Sequence, residues 1–345
     1  MNNSHKYFYA TAAAGFDFQI STKIIFGEGS VRRLSNEAKQ RGRSKVLIVT
    51  SKGMPERPSL KGILSDLADA GMTVKVFASV SPEPSVEDID KCVEFANRVE
   101  PDLVVGIGGG SAMDVAKKTA LEIGLPKIMI PTTAGSGSEV TYNSVLMVEG
   151  RKKSFSDIKL AADLAIVDPD LLTTMPASVM VCSAMDAMAH AVESYGARKG
   201  NNITRALALE AYLLSRDNIS RALSAEAEGR RNIAMGSLMA GMALTGTGTT
   251  LGHALAYPLS NRGMTHGQSL AVVLPYLLKT NLFDADHADE LKSCRRMHCA
   301  IPEIAWDIST MAAEVAADER HLANNPVNVT LQEIIDVYTD IQKES

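Results

Sequence analysis

Two different hydrophobic patterns divide the chain. Between about Val46 and Ile130, short β-branched runs alternate with amphipathic stretches: VLIVT (Val46–Thr50), VKVFA (Val74–Ala78), LVVGI (Leu103–Ile107) and Ile128–Ile130. Apolar runs this short, separated by segments of helical period, predict a parallel sheet covered by helices. The helices are expected over Leu60–Ala70, Val86–Val99 and Ala112–Ile123. Ser85 precedes the second as an N-cap, and Asp88 follows three residues on, the spacing at which cap and third side chain satisfy each other's backbone N–H. From about Leu171 the pattern turns to long Ala-, Leu- and Met-rich stretches. Ser183–Ala197, Thr204–Asn218, Ala225–Leu244, Gln268–Thr280 and Thr330–Gln342 read as helices. The expected fold class is therefore an α/β domain over residues 1–175 followed by an all-α domain over 176–345, joined near Asp168–Ala177. Gly196–Asn202 and Asn324–Asn328 read as plain loops.

Composition narrows the function classes. A chain of 345 residues is long enough for two domains with a core each, and 46% hydrophobic with 22% charged residues is the balance of an ordinary folded protein. A net charge of −5 argues against nucleic acid or an anionic membrane as the main partner. Cys92, Cys182, Cys294 and Cys299 form no CxxC pair and no disulfide-framework spacing, which points to a reducing cytoplasm. The opening MNNSHKYFYATAAAGFDF has no basic region leading into an apolar one, so no signal peptide is expected. Ile233–Asn261 carries no Lys, Arg, Asp or Glu and is long enough to raise a membrane span. Its TGTGTT centre and His253 predict instead a buried helix ending in an irregular turn.

The candidate chemistry lies in four stretches. Asp186 and His190 stand at i, i+4 in VMVCSAMDAMAHAVESY, so a helix projects both from one face. Alone, such a pair is more often a solubilising acid and a core histidine. Here both sit among Met, Ala and Val, where unpaired burial is costly and a shared cation satisfies both. His253 and His266 flank a segment in which Pro258 and Gly263 are expected to break the helix and bring the second histidine back beside the first. One carboxylate and three imidazoles suit Fe(II) or Zn(II) with a position left open.

Upstream, GIGGGSAMD (Gly106–Asp114) follows a strand and opens a helix, a place where backbone N–H groups approach a diphosphate. It departs from the ordinary G-x-G-x-x-G fingerprint, since the third glycine position is Ser111 and the site for a ribose-binding acid is Pro126. PTTAGSGSEVTYNSV (Pro131–Val145) follows the next strand and offers the hydroxyls of Thr132, Thr133, Ser136, Ser138 and Thr141. Two such loops at neighbouring strand ends favour one elongated ligand, a dinucleotide.

Taken in order, GGGSAMDVAK, PTTAGSGSEVT, DLAIVDPDLL, MDAMAHAVESY and GHALAYPLSNRGMTHGQSLAVVLP resemble the iron-containing (group III) alcohol dehydrogenase family, from about Ile25 to Thr280 and again over Ile301–Thr330. The resemblance implies an N-terminal domain like that of dehydroquinate synthase, a helical C-terminal domain and a homodimer. It assigns Asp186, His190, His253 and His266 to the metal, usually Fe(II) and sometimes Zn(II). Gly109, Gly110, Ser111 and Asp114 match the diphosphate loop, Thr132, Thr133, Ser136 and Thr141 the nicotinamide side, and Lys153 a lysine near the nicotinamide ribose. The implied reaction moves hydride between the nicotinamide and a small primary alcohol or aldehyde, with the metal as Lewis acid.

Three departures qualify the match. Many members carry an acid at the end of the first long strand (VTD); here Ser51 and Lys52 stand there, which favours NADP(H) and leaves NAD(H) open. Tyr257 replaces a further histidine of several members, either to orient substrate or relay a proton, or to pack beside Pro258. The chain is shortened between Leu291 and Ile301, which keeps a non-catalytic binding protein in view. A related polyol dehydrogenase or lyase is the other alternative, although a lyase handling phosphate needs basic residues that are few between Leu171 and His266. His5, His287, His298 and His321 read as surface residues, and ADHADELKSCRR as a solvated helix face.

Overall fold

The computed structural model describes residues 15–281 and 283–344. Residues 1–14, His5 among them, lie outside the described residues. The described residues form two compact units, one of Ile20–Met175 with Ser224–Ala234, the other of Pro176–Leu223 and residues 235–344 with residues 15–19.

In the first unit the elements run β1 (Lys23–Phe26), α1 (Leu34–Gln40), β2 (Lys45–Ser51), α2 (Pro58–Asp69), β3 (Thr73–Val80), α3 (Val86–Val99), β4 (Leu103–Gly108), α4 (Gly110–Glu122), β5 (Lys127–Pro131), β6 (Asn143–Val148), β7 (Arg151–Ser156) and β8 (Leu164–Val167). Six strands make one sheet in the order β1-β8-β5-β4-β2-β3, every pairing parallel. Because side chains alternate along a strand, each run feeds two cores. Ile48, Val105, Ile107, Ile128 and Ile166 pack on one face, and Leu47, Val49, Val104 and Met129 meet Met113, Val115 and Ala116 of α4 on the other. The expected capping box at Ser85 and Asp88 is present.

The sequence reading passed over α1, β1, β8 and the hairpin of β6 and β7. At four residues each, β1 (KIIF) and β8 (LAIV) are too short to show a period, and RKKSFS lacks an apolar face. The hairpin turn does carry a signal: Glu149 and Gly150 both have positive φ (51° and 75°), as a two-residue turn matching strand twist requires. β2 lies between β3 and β4, so the crossover from β2 to β3 and that from β4 to β5 leave in opposite directions. Open parallel sheets bind ligands at the strand carboxyl ends beside such a switch. Ser51, at the end of β2, and Gly109, after β4, flank that point.

The second unit is helical: α5 (Ala177–Gly196), α6 (Asn202–Leu223), α7 (Ala227–Thr247), α8 (Leu251–Ser260), α9 (His266–Thr280), α10 (Ala288–His298), α11 (Ile308–Ala316), α12 (Glu319–Asn324) and α13 (Leu331–Gln342). α6 ends just before Ser224–Ala234, the segment grouped with the first unit, and α7 begins within it. α5 is buried on nearly every side from Met180 to Tyr195, which makes it the axis of its unit. Ile233–Asn261 is divided between α7 and α8, and among the described residues no helix is long and apolar enough to cross a membrane.

Four sequence expectations need correction here. Pro258 does not end the helix; it sits inside α8, two residues before its last one, and removes one helical donor. The reversal falls at Gly263, with φ 106°, and Thr265 then starts α9 with a capping box to Gln268. Asn324 and Asn325 form a buried polar clasp and not a plain loop. Asn324 donates to the carbonyls of Thr247 and Thr249, and Asn325 exchanges hydrogen bonds with Asn281. His321 is buried at 7% exposure, because the charged residues around it in sequence face outward while its ring turns in. Finally, Cys182 and Cys299 are joined as a disulfide across 117 residues, a pairing that spacing does not reveal; Cys92 and Cys294 are free.

Candidate functional site

The candidate metal centre lies within the helical unit. Asp186 and His190 come from successive turns of α5, His253 from the first turn of α8, and His266 is the first residue of α9. One ligand atom from each of the four lies within 4.8 Å of the others. Asp186 Oδ1 is buried and accepts no hydrogen bond, with His190 Nε2 at 3.6 Å and His266 Nε2 at 3.9 Å. Those separations are too long for hydrogen bonds. They suit ligands of one cation, since atoms about 2.1 Å from a tetrahedral centre stand about 3.4 Å apart. The His190 and His253 rings stack with centroids 4.9 Å apart, and the His266 ring lies 5.4 Å from that of His253. A buried carboxylate oxygen lacking a donor, facing imidazoles at ligand spacing, fits a divalent metal. The His266 side chain is 33% exposed against 5–8% for the other three, so the cluster opens to solvent on that side.

Glu193 escaped the sequence reading. It lies on α5, three residues beyond His190, fully buried, with its carboxylate 2.5 Å from His253 Nδ1. Burial alone would raise its pKa, but the His253 imidazole and the Thr250 backbone N–H hold it at about 2. The available signal was a second acid on α5, seven residues beyond Asp186 and three beyond His190.

Tyr257 lies one turn beyond His253 on α8, its ring centroid 6.2 Å from the His253 ring and 5.5 Å from that of His321. Burial, with Asp318 and Glu193 adding to it, pushes its phenol up to about 12, so it is a neutral donor at ordinary pH. His321 Nδ1 is in turn 2.6 Å from Asp318.

The nucleotide-loop residues lie in the α/β unit. Gly109 is the N-cap of α4 and Gly110 its first residue. A Cβ on Gly109 would lie 3.3 Å from Thr133 Oγ1, and one on Gly110 would lie 3.0 Å from Ser136, so glycine at both positions lets the two loops pack this closely without displacing those side chains. Asp114 belongs to the motif, yet its carboxylate is engaged internally by Ser138 Oγ at 2.6 Å, Val145 N at 2.9 Å and Lys117 Nζ at 3.1 Å. It clamps α4 to the second loop. Ser111 Oγ donates to the Pro82 carbonyl, the Thr132 backbone N–H donates to the Gly108 carbonyl, and Thr141 is buried. Lys153 is exposed on β7, its Nζ 5.5 Å from the Phe155 ring centroid.

Glu139, on the same loop, is 2% exposed, and burial pushes its carboxyl from 4.5 up to about 7 against the pull of a backbone N–H and Lys117. A carboxyl whose folded pKa is raised contributes stability below its unfolded value and loses it as pH rises through the folded one. Between about pH 4.5 and 7 this group should therefore cost the fold roughly 3 kcal/mol. Urea denaturation at both ends of that window is expected to show Glu139→Gln gaining on the parent as pH rises. An equal difference at both pH values would refute the assignment.

Comparison with known proteins gives consistent matches. The family described as "Iron-containing alcohol dehydrogenase" matches residues 21–169, and "Fe-containing alcohol dehydrogenase family, C-terminal" matches residues 180–303. Long-chain-alcohol dehydrogenase 1 of Geobacillus thermodenitrificans (strain NG80-2) is 37% identical over 276 residues, 73% of this chain and 70% of its own length. NADPH-dependent butanol dehydrogenase of Clostridium saccharobutylicum is 30% identical over 76% of this chain and 74% of its own. Among solved structures, sulfoacetaldehyde reductase from Bifidobacterium kashiwanohense in complex with NAD+ superposes with a TM-score of 0.88 at 25% identity, covering 96% of this chain and 100% of that one.

Proposed function

The chain belongs to the iron-containing alcohol dehydrogenase family, and from that premise we propose that it is a metal-dependent NAD(P) oxidoreductase interconverting a small primary alcohol and its aldehyde. The observation that carries this reading is the cluster of Asp186, His190, His253 and His266 around the undonated Asp186 Oδ1. Bound there, Fe(II), or Zn(II) in its place, supplies a Lewis acid for the substrate oxygen. The protein's own contribution is positioning. Asp186 and the three imidazoles hold the metal with one side open, and the neutral Tyr257 phenol donates a hydrogen bond that orients substrate.

On the cofactor side, the N–H groups of Gly109, Gly110 and Ser111 at the start of α4 take the diphosphate. Thr132, Thr133, Ser136 and Thr141 line the nicotinamide, and Lys153 serves its ribose. Asp114 acts by fixing the loop. Ser51 and Lys52 leave room for a 2′-phosphate, so NADP(H) is preferred and NAD(H) accepted. Relatives are named for both cofactors, an NADPH-dependent butanol dehydrogenase and an NAD-dependent methanol dehydrogenase among them. A homodimer working in the cytoplasm completes the proposal.

The test is an assay of purified protein with NADPH and a panel of short and long aldehydes, alongside metal analysis. We expect about one Fe or Zn per chain and oxidation of NADPH that chelation abolishes and Fe(II) restores. Turnover that survives complete removal of metal would refute the reading.

A further inference from the structure

We propose that Glu193 is a positioning residue for the metal, selecting the nitrogen that His253 presents to it; this rests on the metal-centre reading above. One buried carboxylate oxygen, Oε1, accepts from Thr250 N at 2.7 Å, Thr250 Oγ1 at 3.1 Å and His253 N at 3.1 Å. The other, Oε2, lies 2.5 Å from His253 Nδ1. Thr250 is the N-cap of α8 and His253 its third residue, and the Thr250 side chain does not cap the helix itself. Glu193 therefore supplies, from α5, the acceptor that the first turn of α8 otherwise lacks, and it places an anion at the positive end of that helix.

The same carboxylate decides the tautomer of His253. An ionised carboxylate only accepts, so the proton sits on Nδ1 and the Nε2 lone pair is left for the cation shared with Asp186, His190 and His266. Gly252 makes the approach possible. A Cβ there would stand 3.0 Å from Glu193 Cδ, 3.2 Å from its Oε1 and 2.9 Å from Leu277 Cδ2. A side chain there would push the carboxylate back by a few tenths of an ångström.

Glu193→Gln separates this role from a merely structural one. The amide oxygen can keep the contacts to Thr250 and the His253 backbone, which leaves the amide N–H facing Nδ1. A donor at that place moves the imidazole proton to Nε2 and blocks it as a ligand. Zn(II) affinity, measured on the full chain by chelator competition, is expected to fall about 10–100-fold. The visible spectrum of the Co(II)-loaded variant should lose intensity at matched metal concentration, while helix capping and NADPH affinity stay as in the parent. Gly252→Ala, which displaces the carboxylate and leaves its charge, should lower Zn(II) affinity in the same direction and decides the matter should Glu193→Gln fail to fold. Parent-like Zn(II) affinity in whichever of these variants is folded overturns the role of Glu193 while leaving the metal centre standing. A parent protein that binds no Zn(II) or Co(II) overturns the metal centre itself and this role with it.

Discussion

Asp186→Ala is expected to reduce alcohol oxidation and aldehyde reduction by about a thousandfold or more, the equivalent of roughly 4 kcal/mol in transition-state stabilisation. Asp186 is the one anionic ligand among three imidazoles, and it holds the two sides of the cluster together from α5. Without it the remaining histidines must retain a dication with no compensating charge. Metal content measured after gel filtration should fall with activity, and NADPH binding should persist, because the glycine loop belongs to the other unit of the chain.

Stability should move the opposite way from activity. In metal-free protein the Asp186 carboxylate is buried with an oxygen that accepts no hydrogen bond, a burden of order 1–3 kcal/mol that alanine removes. The metal-free variant should thus melt no lower than the metal-free parent, whereas the parent alone should gain stability on adding Zn(II). A variant that keeps a tenth or more of parental turnover, by the rough scale above, would remove Asp186 from the metal centre.

How much of this was legible in the sequence depended on whether a signal was local. The central strands showed themselves because a run buried on both faces reads as unbroken apolar residues, as in LVVGI. The four-residue edge strands β1 and β8 have no room for a period, and β7 is too polar to declare one. The Asp186–His190 pair was legible because both ligands belong to one helix at one-turn spacing. α8 was hidden by Pro258, which looks like a terminator until its position two residues from the helix end is known.

Glu193 and His321 show the other limit. His321 sits in a charged stretch and Glu193 near the end of an apolar helix, and each finds its partners on elements distant in sequence: Glu193 at Thr250 and His253, His321 beside Tyr257. The bond between Cys182 and Cys299 belongs with them, since 117 intervening residues carry no record of which sulfurs meet. Sequence thus revealed the ligand pair that one helix arranges and concealed the contact by which that helix holds a ligand on another, Glu193 of α5 on His253 of α8.

Ser51→Asp is expected to reverse the cofactor preference, with NADPH the better cofactor for the parent and NADH for the variant. Ser51 ends β2, directly beside the switch in strand order, and Lys52 follows it. In that position a serine is neutral toward a 2′-phosphate, and Lys52 supplies an attractive charge. An aspartate would repel the phosphate and accept hydrogen bonds from an unmodified ribose, so the two cofactors respond in opposite senses. At about 5 Å and an effective dielectric constant of about 20, each unit of like charge costs roughly 3 kcal/mol, which corresponds to about a hundredfold loss in kcat/KM for NADPH. Ser51 is half-buried, so salt should screen part of that penalty. Raising ionic strength should recover some NADPH activity in the variant and leave its NADH activity level. The comparison needs only kcat/KM for both cofactors in parent and variant, at low and high salt. If the ratio shifts by less than about threefold, below roughly 1 kcal/mol, the end of β2 does not read the ribose, and the preference must be set elsewhere in the α/β unit.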